Sequence, residues 1–196
     1  MSGERRPIAT RELGVSKRVA TWLARAGATP NGISIAGMIA GLVAGVCLWR
    51  TSSDDGLERL WFVLGAVFVQ LRLAANMLDG MVAVDTGRTS PVGELFNEIP
   101  DRVSDVATLV GLGYALGGLP TLGLAASIAA VATAYVRAQV AVAGGGQEFC
   151  GPLAKPQRMF LVTIIALYCG LAPRSWQWFD DQGSGIPAIA LAVVVV

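Results

Sequence analysis

Apolar runs close to the length of a bilayer crossing recur along these 196 residues, and they leave few folds open. The runs cover residues 33–49, 60–78, 103–116, 119–142, 159–171 and 186–196. A helix rises about 1.5 Å per residue, so it needs about 20 residues to cross a hydrocarbon core. The third and fifth runs reach that length only with their polar ends included. The sixth is short and stops with the chain, so it reads as a truncated span of a protein that continues past Val196. Irregular backbone is too costly in lipid to offer an alternative. The expected fold is therefore an all-α integral membrane protein of six transmembrane helices, the last one truncated. Composition agrees: 54% of residues are hydrophobic and 15% charged, where soluble domains run nearer a quarter charged. A net charge of +1 gives no field that would attract nucleic acid. Histidine is absent, which excludes imidazole acid–base chemistry and histidine metal sites. Cys47, Cys150 and Cys169 are far apart and form no CxxC pair, so they read as small apolar packing residues.

Residues 1–28 form a basic segment with Arg5, Arg6, Arg11, Lys17, Arg18 and Arg25. Within it, residues 12–26 interleave Leu13, Val15, Val19, Trp22 and Leu23 with the cations, the pattern of an amphipathic interfacial helix. It is no secretory signal, because the first long apolar stretch begins late and no small-residue cleavage site follows it. Thr29-Pro30 then opens the first span as an N-cap with proline at the first helical position. Residues 29–196 read as one transmembrane domain. Placing the N-terminus inside puts twelve of the fifteen Lys and Arg residues on the cytosolic side. Only Arg50, Arg59 and Arg174 are left outside, as the positive-inside rule requires. That orientation, in the cell membrane, makes residues 79–101 and 137–158 cytosolic. The five tryptophans fall near the span ends and read as interface anchors. Gly37, Gly41 and Gly45 make a small-residue ridge for close helix packing, within or between subunits.

One segment breaks the apolar pattern. Residues 76–105 carry Asp79, Asp85, Glu94, Glu98, Asp101 and Asp105 at the end of an apolar run. Asn76, Asp79 and Ala83 share one face at the end of the second helix. Gly93, Asn97, Asp101 and Asp105 follow at steps of four along the start of the third. The turn-rich linker 85–91 is short enough to fold these helices antiparallel. Two stripes of oxygen ligands would then face each other at the membrane edge, an arrangement that suits Mg²⁺ or Mn²⁺. Carboxylates buried without a cation would be costly. Gly80 and Ala83 lack bulk, so a ligand could approach the backbone there. Arg72, at i, i+4 and i+7 with Asn76 and Asp79, points at the same place.

These residues resemble the CDP-alcohol phosphotransferases, whose motif is Asp-x2-Asp-Gly-x2-Ala-Arg-x8-Gly-x3-Asp-x3-Asp. Here it reads Asn76-x2-Asp79-Gly80-x2-Ala83-Val84-x8-Gly93-x3-Asn97-x3-Asp101. Upstream, Thr29-Pro30-Asn31-Gly32 is similar to the family's segment before its first span. Downstream, Tyr135-x-Arg137-Ala138 and Lys155-Pro156-x-Arg158 resemble its later basic regions. The resemblance implies a six-helix membrane enzyme that transfers a substituted phosphate from a CDP-linked donor, usually CDP-diacylglycerol, to an alcohol with release of CMP. It implies two divalent ions in the positions of Asn76, Asp79, Asn97 and Asp101, with Asp101 also the base. It places Thr29, Pro30, Asn31, Gly32, Gly80, Ala83, Ser90 and Gly93 around the donor. Arg137, Lys155 and Arg158 fall where a phosphorylated acceptor would sit, with Gln139 where such members tend to have a further Arg. Family members are often homodimers.

The departures are specific. Asn stands at two of the four ligand positions, which halves the motif's negative charge, and Val84 replaces an Arg. Glu94 or Glu98 would restore charge near Asp101, and Pro100 would free the carbonyl of Phe96 as another oxygen ligand. The leading expectation is a working transferase with a modified metal site. A catalytically weak or inactive homologue kept as a membrane partner subunit is the second reading. A small transporter is the third, disfavoured because the acids flank a cytosolic loop rather than interrupting a span at mid-membrane.

Overall fold

The computed structural model describes residues 14–53, 56–86, 93–144, 155–179 and 183–195. Seven α-helices form among them: α1 (Gly14–Arg25), α2 (Pro30–Arg50), α3 (Glu58–Thr86), α4 (Gly93–Gly113), α5 (Pro120–Val142), α6 (Lys155–Leu171) and α7 (Ile186–Val195). α2 to α7 each overlap one of the six apolar runs, and α1 falls within the basic segment read as an interfacial helix. A single 3₁₀ turn, Arg174–Trp176, lies between α6 and α7.

Three helices, α2, α3 and α5, are long and apolar enough to cross a membrane. The expected count of six spans is therefore met only in part. α4 begins with a charged half, while α6 and α7 have 17 and 10 residues. α1 lies against α3 and buries only Ala20. α3 has 29 residues. At about 1.5 Å each they extend roughly 44 Å, well beyond a hydrocarbon core of about 30 Å. The excess carries the last turns of α3, with their polar residues, to one end of the bundle.

α2 packs along both α3 and α4, and it is the element that holds those two in place. Its glycine ridge makes this close approach. A Cβ on Gly37 would lie 2.9 Å from Ala75 Cβ of α3. Gly41 faces Ser104 of α4, and Gly45 sits directly on the backbone carbonyl of Ala107. The ridge is thus consumed within the chain. α6 covers the other side of α3, and α5 and α7 pack beyond α4. Leu48, Phe62, Leu109, Leu112 and Met159 form the centre of the core. Ile35, Ile39, Leu42 and Val46 of α2, and Phe160, Ile164 and Leu167 of α6, are exposed, as lipid-facing surfaces are.

At the end opposite the acids, Arg59 donates to the carbonyls of Gly170, Leu171 and Ala172, closing the exit of α6. Arg174 pairs with Glu58 there, and the Arg50 guanidinium lies 5.6 Å from the Trp61 ring centroid. Trp22, Trp49, Trp176 and Trp178 are all exposed, in keeping with anchoring at a membrane surface.

Candidate active site

The start of α2, the end of α3 and the starts of α4 and α6 converge at one end of the bundle. Thr29 caps α2, its hydroxyl accepting from the Gly32 N–H at 3.1 Å. One turn on, the Ser34 hydroxyl donates to Asp79 Oδ2 at 2.6 Å and also lies 3.1 Å from the Pro30 carbonyl. This ties the first turn of α2 to α3 and fixes the orientation of the buried Asp79 carboxylate.

Asp101 is held from α3. Asn76 Nδ2 donates to Asp101 Oδ1. Arg72 Nη2 lies 3.4 Å from the same oxygen and 3.2 Å from the Asp101 carbonyl. Arg72 also pairs with Asp105 Oδ1, one turn further along α4. Arg72 is only 1% exposed. On the far side of Asp105, Arg158 of α6 stands 3.8 Å from Oδ2. The cluster therefore alternates in sign, with Arg72 and Arg158 interleaved among Asp79, Asp101 and Asp105. Removing one member of such a buried pair leaves an uncompensated charge, typically at a cost of about 3–5 kcal/mol.

Helical spacing puts Asn76 and Asp79 together on α3, and tertiary packing brings Asp101 of α4 against Asn76. Gly80 and Ala83 lie half-buried beside them on α3, and Pro30 and Asn31 are half-buried at the head of α2. Gly93 opens α4, and Pro100 lies inside it. Ser90 lies outside the described residues, as do the side chains of Glu94, Asn97 and Lys155. Glu98 turns away from Asp101: its side chain is 59% exposed and pairs with Arg102. Among the described residues, no group of three or more acidic or cysteine side chains is arranged to hold a metal. Asp79 and Asp101, two carboxylates at the membrane edge, suit one hard cation by donor type. A pair of ions fits less well, because Asn76 faces Asp101 with an N–H.

Arg137, at the end of α5, is half-buried, and its charge and that of Arg102 act on Arg158. These three arginines give the end of the bundle a cationic side next to the acidic one. Ser34 and Arg102 carry no sequence signal of a role. Ser34 acts through a contact that only the packing of α2 against α3 creates, whereas Arg102 pairs with Glu98 within α4 and reaches Arg158 of α6 through its charge.

Comparison with known proteins identifies the family. The CDP-alcohol phosphatidyltransferase family profile matches residues 27–196. The phosphatidylinositol phosphate synthase of Mycolicibacterium smegmatis is 32% identical over 188 residues, covering 93% of this chain and 81% of that protein. Inner membrane protein YnbA of Escherichia coli is 24% identical over 157 residues, covering 80% of this chain and 76% of that one. Among solved structures, the phosphatidylinositol phosphate synthase of Mycobacterium tuberculosis with CDP-DAG bound superposes with a TM-score of 0.70 at 21% identity. That match covers 93% of this chain and 86% of the other.

Proposed function

Because this chain belongs to the CDP-alcohol phosphatidyltransferase family, we propose that it moves a phosphatidyl group from CDP-diacylglycerol to an alcohol and releases CMP. The observation that carries the reading is that Asp101 is held by Asn76, one helical turn from Asp79, at the end of the bundle, each carboxylate oriented by a hydrogen bond from another helix. The acceptor hydroxyl oxygen forms a bond to the phosphorus that bears diacylglycerol. The pyrophosphate P–O bond on its far side breaks, and CMP leaves with the electron pair. The hydroxyl proton passes to the Asp101 carboxylate, the base of this scheme. Asn76 and Arg72 hold Asp101 Oδ1 and so set the direction of that carboxylate. A divalent ion, Mg²⁺ or Mn²⁺, held at Asp79 and Asp101 would neutralise the pyrophosphate, the main demand of phosphoryl transfer.

The donor is assigned to the head of α2, Thr29, Pro30, Asn31 and Gly32, together with Gly80, Ala83, Ser90 and Gly93. CDP-DAG bound to the tuberculosis protein supports the donor's identity. For the acceptor we favour a phosphorylated alcohol. Arg137 and Arg158, with Lys155 in sequence beside them and Arg102 nearby, supply the fixed cations that bind phosphate. A synthase of phosphatidylinositol phosphate among the relatives points the same way. The positive-inside distribution supports a cytosolic position for this end, at the cell membrane. A homodimer belongs to the same reading, joined through a face other than the internal glycine ridge. The test is CMP release by detergent-purified protein given CDP-diacylglycerol, Mg²⁺ or Mn²⁺, and a panel of alcohols with and without phosphate. Release with a phosphorylated acceptor is expected. No release with any acceptor would overturn the assignment.

A further inference from the structure

The family resemblance implies two ions, yet the structure already contains a cation there. We propose that Arg72 is the built-in positive charge of this site and that the chain takes up a single divalent ion, at Asp79 and Asp101. The inference rests on the transferase reading above and deepens it.

Three observations converge. Arg72 is buried against Asp101 and Asp105, so both carboxylates already have a fixed counter-charge from within the protein. Its Nε and Nη1 are also buried without a hydrogen-bond partner among the described residues. Asn76 is the third. A carboxylate oxygen accepts and never donates, so the amide must face Asp101 with its N–H. The amide oxygen is directed towards α2 instead, where a Cβ on Gly37 would lie 3.5 Å from it. Asn76 therefore holds Asp101 and does not share an ion with it.

The ligands on offer decide against a second ion. Asp79 and Asp101 supply two carboxylates, Asn76 turns its N–H and not its oxygen to Asp101, and a second dication would stand beside a buried guanidinium that cannot deprotonate.

The experiment is Mn²⁺ binding to the detergent-purified protein with CDP-diacylglycerol present, by equilibrium dialysis, with electron paramagnetic resonance of the bound ion. Wild type is expected to bind one Mn²⁺ per chain with an isolated-ion spectrum. Arg72→Met combined with Asn76→Asp and Asn97→Asp is expected to bind two, with the spin coupling of neighbouring ions. If that variant does not fold, Asn76→Asp with Asn97→Asp on the Arg72 background decides the point. It should still bind one ion, at least tenfold more tightly. Two coupled ions in the wild type, two in the Arg72-retaining double variant, or none in the wild type would each overturn the proposal. CMP release measured on the same samples separates it from the transferase reading. One bound ion without CMP release defeats the transferase reading and leaves the ion count standing.

Discussion

Arg137→Ala separates an acceptor pocket from a mere membrane anchor. Arg137 lies at the end of α5, half-buried, near Arg158 but outside the Arg72–Asp101–Asp105 cluster. Its loss should therefore leave the packing of α3 against α4 intact and shift the melting temperature little. If its guanidinium binds acceptor phosphate, truncation removes a charge-assisted contact worth about 1.5–3 kcal/mol. That corresponds to an increase in acceptor KM of roughly tenfold to a hundredfold. Donor KM should stay within about twofold, since the donor is assigned to α2 and α3. Arg158→Ala is the informative contrast. Arg158 is buried beside Asp105, so its removal should raise acceptor KM and also lower thermal stability. The assay is CMP release in mixed micelles, with each substrate varied at saturating levels of the other. Unchanged acceptor KM in Arg137→Ala, or an equal rise in both KM values, would refute the pocket and leave Arg137 as a surface anchor.

Asp79→Ala should abolish divalent-ion-dependent CMP release while the protein still inserts and purifies as folded, and full activity after chelation would contradict this. Asp101→Asn keeps the shape of the side chain but removes the base, and should lower kcat by roughly 10²–10⁴, read in the same assay. Gly45→Val tests the packing of α2: its side chain would meet the Ala107 carbonyl. A loss of at least about 1–3 kcal/mol is expected from such overpacking, visible as a lower melting temperature in detergent.

Helix positions were legible from the apolar runs because bilayer thickness and backbone hydrogen bonding leave so few alternatives. The end of α3 was legible too: Asn76, Asp79 and Ala83 share a face at helical spacing, and the structure carries the helix on to Thr86, because its last turns leave the membrane without breaking the backbone ladder. The motif was legible for a similar reason: spacings of three and four put Asn76 with Asp79, and Asp101 with Asp105, on single faces whatever surrounds them. What each residue does there was not legible. Glu98 has the same local spacing as a ligand, but it sits on the exposed side of α4 and pairs with Arg102. Ser34 looks like an ordinary first-turn serine until α2 is laid against α3 and its hydroxyl meets Asp79. The glycine ridge is equally suited to an inner or an outer contact in one dimension. Only the packing of α2 on α3 and α4 shows that the ridge faces inward. Local periodicity thus determined which side chains share a helix face, because that depends on neighbours in the chain alone. The partners of Arg72, Asp79 and Asp105 depend on how α2, α3, α4 and α6 pack together, and tertiary packing alone decided them.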